Sequence, residues 1–141
     1  MVFGAIYFKS TGMIKMFCNG PDEDFLHLQV GDDPDLDVYV GQIDMKTHYL
    51  PGGVPTERPV MPMTGSIAGE PVDLKTQIQM TTSDDLHIIG IPEGTKLYYP
   101  GGVVDSIDDF FIEWGSESPG EYTLQFHNQP FQEVILHAKV G

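Results

Sequence analysis

Basic residues are scarce in this chain: seven Lys and Arg stand against 21 Asp and Glu, a formal net charge of −14 at pH 7. Such a field repels phosphate backbones and anionic lipid headgroups, so neither nucleic acid nor a membrane is an expected partner. Lys9, Lys15, Lys46, Arg58, Lys75, Lys96 and Lys139 are scattered, and no local basic stripe reverses that expectation. Cysteine is scarcer still. The lone Cys18, beside Met16 and Phe17, excludes an intramolecular disulfide and lacks the companions of a zinc site, so it is expected to pack as a small hydrophobe. Long apolar runs are missing too. The opening Met-Val-Phe-Gly-Ala-Ile-Tyr-Phe has no basic leader and gives way to Lys9-Ser10 before spanning length, which predicts a protein made and kept in the cytoplasm until something carries it out.

Helical periodicity is also absent: no window keeps apolar residues at i, i+3, i+4 and i+7, while several alternate in steps of two between Gly, Pro, Asn or Asp breaks. The chain therefore reads as all-β with little or no helix. Its 141 residues fit one domain or two very small ones, and 40% hydrophobic content supports a real core. The 16 Gly and 11 Pro fall mainly between candidate strands, where they set turn dihedrals.

In the first half, strands are expected near Val2 to Phe8, Met13 to Cys18, Phe25 to Val30 and Val38 to Ile43. The segment Thr47 to Met63 follows. Pro51, Pro55, Pro59 and Pro62 recur in it, each fixing its own φ and pushing the preceding residue toward β or polyproline geometry, so it is expected to be extended yet poorly paired, a linker or a clamp. After a polar stretch from Thr64 to Glu70, strands resume at Lys75 to Thr81, Leu86 to Ile91, Thr95 to Tyr99, Asp108 to Trp114, Glu121 to His127 and Phe131 to Val140. The boundary is placed near residue 65, giving a short-stranded β region at 1–64 and a β-sandwich at 65–141. Alternation puts Tyr122, Leu124 and Phe126 on one face of a strand, and does the same for Val134, Leu136, Ala138 and Val140. Trp114 shares parity with Phe110 and Ile112 and is the expected centre of the second core. Strands at this spacing predict a small sandwich of immunoglobulin-like type.

Catalytic chemistry has little to work with. Seven acids and no Lys or Arg lie from Asp22 to Asp37, and Asp33, Asp35, Asp37 and Asp44 fit a calcium-loop count. Pro34 interrupts that count, Val38 stands where the sixth-position glycine is needed, and neither flank looks helical, which leaves a solvated acidic loop. His27, His48, His87, His127 and His137 show no ligand spacing, and surface or interface positions are expected for them. Ser66, Ser83, Ser106, Ser116 and Ser118 lie in expected turns without a nucleophile elbow, and a Cys18–His27 dyad has nothing to place its members together. Gly52-Gly53 and Gly101-Gly102 each follow a proline and read as turns rather than phosphate cradles. The carboxylate pairs Asp84-Asp85 and Asp108-Asp109 are what chance gives in so acidic a chain. No enzyme, catalytic residue, cofactor or metal is expected.

Three stretches in order carry a family resemblance. Thr47-His48-Tyr49-Leu50-Pro51-Gly52-Gly53-Val54-Pro55-Thr56-Glu57-Arg58-Pro59-Val60-Met61-Pro62 is similar to a "THYV-x-G-G-x-V-x-x-RP-x-MP" segment. Ile89-Gly90-Ile91-Pro92-Glu93-Gly94-Thr95 is similar to an "L-x-G-L/I-P-x-G-T" turn. Ser118-Pro119-Gly120-Glu121-Tyr122-Thr123-Leu124, with Asn128-Gln129-Pro130-Phe131 after it, looks like "PGEYTV" followed by "x-x-PY/F". Together they resemble a family of small tailed-phage and prophage virion structural proteins, described as tail, tail-fibre or minor virion components with an immunoglobulin-like half. Phe131 departs from a common tyrosine, and the residues before Lys46 match only loosely.

The resemblance implies a non-enzymatic part of a bacteriophage particle, made in the host cytoplasm, located in the virion and held there by other virion proteins and by its own copies, as a trimer if it sits on a fibre. Tyr49, Pro51, Val54, Pro55, Arg58, Pro59, Met61 and Pro62 form the candidate interface, because an extended proline-rich strand can lie along another subunit; the alternative is that it packs across the chain's own two halves. Rival roles are a capsid decoration protein and an immunoglobulin-like module that binds a host glycan or surface protein through Pro100 to Asp105, with Tyr98 and Tyr99 beside it.

Overall fold

A computed structural model describes all residues 1–141 and is all-β apart from one short α-helix and one 3₁₀ turn. No helix is long and apolar enough to cross a membrane. The chain divides into two compact units, Met1–Pro59 and Val60–Gly141. The division falls a few residues before the position expected from sequence, because Met61 is already buried in the second unit's core.

The first unit is built on β1 (Val2–Phe8), β2 (Ile14–Gly20) and β3 (Leu36–Val40), an antiparallel sheet in the order β2-β1-β3. The central strand is buried on both faces, which is why it reads as a near-continuous apolar run rather than an alternating one. On one face Ile6, Cys18, Leu36 and Val38 pack with Leu26 of the helix α1 (Glu23–Leu28). On the other, Ala5, Tyr7 and Ile14 pack with Leu50. A Cβ at Gly4 would come within 2.7 Å of the Tyr39 carbonyl oxygen and 3.0 Å of Leu26, so the close approach of helix and sheet requires glycine there.

Two expectations for this unit fail. Phe25 to Val30 is not a strand: Asp22 takes an extended N-cap conformation, its carboxylate accepts the Phe25 N–H at 2.9 Å, and Glu23 and Asp24 occupy the first turn of α1. Six residues are too few to display a helical period, and Leu26 alone is buried. Nor is the proline-paced segment extended throughout. β4 (His48–Tyr49) and β5 (Thr56–Glu57) pair antiparallel around a 3₁₀ turn at Pro51–Gly53, with Gly52 and Gly53 at φ 64° and 79°.

The second unit is a two-sheet sandwich. β6 (Thr64–Ile67), β7 (Glu70–Val72), β9 (Leu86–Ile89) and β12 (Phe111–Trp114) form a sheet in the order β12-β9-β6-β7. β8 (Ile78–Met80), β10 (Thr95–Tyr99), β11 (Gly102–Ile107), β13 (Gly120–His127) and β14 (Val134–Val140) form the other, in the order β11-β10-β13-β14-β8. Only β8 and β14 pair in parallel; every other ladder of the two sheets is antiparallel. The inner faces meet on Leu86, Ile88, Leu97, Leu124, Phe126 and Leu136. The alternation read from sequence holds: Leu124 and Phe126 are buried in β13, and Leu136, Ala138 and Val140 in β14.

Three expectations fail here as well. Strands do not wait until after the polar stretch Thr64 to Glu70: β6 and β7 form a hairpin there whose turn residues Ala68 and Gly69 both have positive φ, 49° and 82°, the signature of a type I′ turn. Pro100 to Asp105 is not a loop throughout. Pro100-Gly101, with Gly101 at φ 99°, turns β10 into β11, and Gly102 to Val104 are paired in its ladder. Trp114 is not the centre of the core. It is half-buried, edge-on to Tyr122 at 5.3 Å between centroids, while Phe110 lies outside the strand at φ 66° with 54% of its surface exposed.

Candidate interaction surfaces

The structure separates the eight residues singled out in the proline-paced segment. Tyr49, Pro51, Val54, Pro55, Arg58 and Pro59 belong to the first unit, Met61 and Pro62 to the second. Leu50 anchors the β4–β5 hairpin: its side chain is fully buried and its N–H donates to the Gly12 carbonyl at 2.7 Å. Arg58 is fastened as well, its N–H donating to the Thr47 carbonyl at 2.7 Å and its guanidinium to the Met45 carbonyl at 3.0 Å. Tyr49 and Pro51 are half-buried. What the hairpin and its exit expose is Val54, Pro55 and Pro59, and in the second unit Pro62. Met61, 4% exposed, is a core residue and is removed from the set.

Two other apolar surfaces are more prominent. In the first unit, Phe3 and Phe17 stand half-exposed on the sheet face not covered by α1 and help line a cavity of ≈ 320 Å³ with Gly4, Cys18, Gly41 and Ile43. β2 is an edge strand and also exposes Met16. In the second unit, Phe111 of β12 pairs directly across the ladder with Ile89 of β9, and both face outward, 47% and 58% exposed. Phe110, next to them, has its carbonyl held by the Ile91 N–H at 3.1 Å. Two residues along the ladder and on the same face, Glu113 opposes His87, with Oε1 3.3 Å from Nδ1. Between β11 and β12, each at the edge of its own sheet, an open cleft of ≈ 650 Å³ is lined by Val104, Ser106, Ile107, Asp109, Phe111, Ile112 and Glu113. Sequence reasoning missed this margin, although one signal was present: adjacent Phe110 and Phe111 cannot both point inward in a strand of period two.

The acidic stretch is used locally. Asp22 caps α1, Asp35 accepts both the N–H and the hydroxyl of Ser10 at 2.8 and 2.7 Å, Asp33 accepts the Asp35 N–H, and Asp44 accepts the Lys46 N–H. These are carboxylates closing turns, and no three His, Cys, Asp or Glu side chains gather to hold an ion. Cys18 is buried and burial pushes its thiol pKa up, opposite to what a nucleophile needs, and His27 is exposed on α1. His87 and His127 lie beside Glu113 and Glu133, and His137 beside Thr123, all at partly exposed sites.

The later resembling stretches meet in the second unit. The Asn128 amide donates to the Glu93 carbonyl at 3.0 Å and to the hydroxyl of the buried Thr95 at 3.2 Å, joining the Pro92-Glu93-Gly94-Thr95 turn to the end of β13. The Tyr122 hydroxyl donates to the Ser118 carbonyl at 2.7 Å and accepts from Ser116 Oγ at 3.0 Å, pinning the entry to β13. No family model, curated protein or solved structure matches this chain.

Proposed function

We propose that the chain is a non-enzymatic structural component of a tailed bacteriophage particle, a tail, fibre or adaptor part that works by protein–protein assembly. The resemblance of three ordered segments supplies the phage assignment, and one structural observation supports assembly: large apolar side chains are exposed at or next to an edge strand in both units, Met16 and Phe17 on the edge strand β2 with Phe3 on its neighbour β1, and Phe111 on the edge strand β12 with Phe110 before it and Ile89 on its neighbour β9. Exposed apolar surface concentrated beside unpaired strand edges is what contact surfaces carry. The second unit is read as immunoglobulin-like. Its strand order, with one parallel terminal pairing, and the Tyr122 hydroxyl bonded back to the Ser118 carbonyl before β13 support that reading, whereas Trp114 lies on β12 rather than on a central strand.

Particles purified from the source culture and dissolved for quantitative mass spectrometry are expected to contain the chain in many copies. Its absence from particles that retain their other structural proteins overturns the reading. Light scattering of the purified chain is expected to report a homo-oligomer, with a trimer marking a fibre position.

A further inference from the structure

The β12 margin of the sandwich combines three features. It is an unpaired strand edge, it faces an open cleft against the equally unpaired β11, and it exposes Ile89, Phe110 and Phe111. Phe110 sits at φ 66°, a region a bulky side chain seldom adopts, so the backbone accepts an unfavourable conformation while the ring remains in solvent. Protection against aggregation is the usual reason for acids along an edge, but it explains neither the paired exposed Phe111 and Ile89 nor the posture of Phe110.

Charge identifies the occupant. From Gly102 to Trp114 there are four acids, Asp105, Asp108, Asp109 and Glu113, and no Lys or Arg. No strand of the four-stranded sheet contains a Lys or Arg either. A second copy docking the same edge would set acid against acid, and like charges opposed across a ladder destabilise the pair. A strand that carries, on one face, an apolar residue beside Phe111 and a Lys or Arg two positions away beside Glu113 meets both requirements, because Phe111 and Glu113 share the outward face of β12.

We propose that β12 is a docking edge for an extended, basic segment of another protein, which adds to the sheet as a strand beside β12. This deepens the assembly reading and rests on it, naming the chemistry of one partner. Backbone hydrogen bonds would supply affinity, and the Phe111–Ile89 pair with the acidic rim would supply selectivity.

Trp114, the only tryptophan, lies on β12 and reports engagement of this edge by its emission. The probe is a synthetic Val-Thr-Lys-Thr repeat of about eight residues, which sets Val and Lys in turn along one face and is near the upper length of common strands. It is expected to shift Trp114 emission saturably, more weakly as salt is raised, while a Val-Thr-Glu-Thr repeat of the same length does not. Phe111→Ser, at a half-exposed position that leaves the core intact, is expected to weaken binding roughly tenfold, the loss typical of a central contact. N-methylation of alternate backbone nitrogens along one edge of the peptide is expected to abolish binding, and along the opposite edge to leave it unchanged, which tests strand addition without altering the protein.

No emission change, equal binding of the Val-Thr-Glu-Thr peptide, or indifference to either Phe111→Ser or N-methylation overturns the proposal. So does a concentration-dependent emission change of the chain alone that Phe111→Ser removes, since that assigns the edge to a second copy. Absence of the chain from particles removes the assembly reading and leaves this peptide measurement standing, so the two failures are distinguishable.

Discussion

The two units bury apolar surface by different means, and the difference shows what each depends on. The second closes two sheets over one continuous core whose centre, Leu124 and Phe126, is supplied by a long alternating strand. The first has a single three-stranded sheet and must cover both of its faces with short pieces: one Leu26 from a six-residue helix on one side, one Leu50 from a two-residue-per-arm hairpin on the other. A sandwich distributes its stability over many mutually packed residues. A sheet with two flaps concentrates it in the few side chains that pin the flaps.

Removing a central residue from each unit tests this directly. Phe126→Ala, at a fully buried site with neighbours fixed in two sheets, is expected to cost about 3–5 kcal/mol, read from the midpoint of urea unfolding. Leu50→Ala is expected to cost about 2–3 kcal/mol, in the lower part of the range for such truncations because a short hairpin can sag into the space left behind. Hydrogen exchange separates the two: Leu50→Ala should lower protection in β1 and β4 and leave β13 and β14 unchanged, and loss spread evenly over all strands would show that the flap model of the first unit is wrong.

Polar ties are smaller. Tyr122→Phe removes the bonds to Ser118 and Ser116 but keeps the ring against Trp114, and is expected to cost about 1 kcal/mol by denaturant unfolding. A neutral effect would mean that the ring contact, not the hydroxyl, pins the entry to β13. The first unit carries the pH-sensitive counterpart. Burial above all, then the charge of Asp37 and the hydrogen bond to it, hold the Tyr7 phenol above its ordinary pKa of 10.0. The neutral phenol's contribution is full below the unfolded-state value and is lost as pH rises through the higher folded-state one. Tyr7→Phe is therefore expected to flatten the alkaline fall in stability, measured as urea midpoints on either side of that range.

Much of the second unit was legible from residue order. Strand alternation is a local consequence of backbone geometry, so Tyr122, Leu124 and Phe126 declared a common face, and Val2 to Phe8 and Thr95 to Tyr99 coincide with observed strands. Local competition was harder to read. Phe25 to Val30 alternates as a strand would, yet the Asp22 cap and acidic first turn were the stronger signal, and Leu26 can approach the sheet closely because β1 offers Gly4 beneath it. The glycines after Pro100 read as a turn and form one, whereas Ala68-Gly69, inside a polar stretch, gave no sign of the paired strands on either side of it.

The candidate surfaces were less legible still. Proline spacing drew attention to Tyr49 through Pro62, but burial claims Leu50 and Met61, and backbone carbonyls engage Arg58. The acidic excess, the strand period and the faces of the long strands were determined by the sequence itself, because charge is a sum over residues and alternation depends only on neighbours along the chain. Which strands became edges, which phenylalanines were left outside and which acids came to line one cleft were decided by tertiary structure, because those outcomes depend on which distant segments find apolar faces to cover.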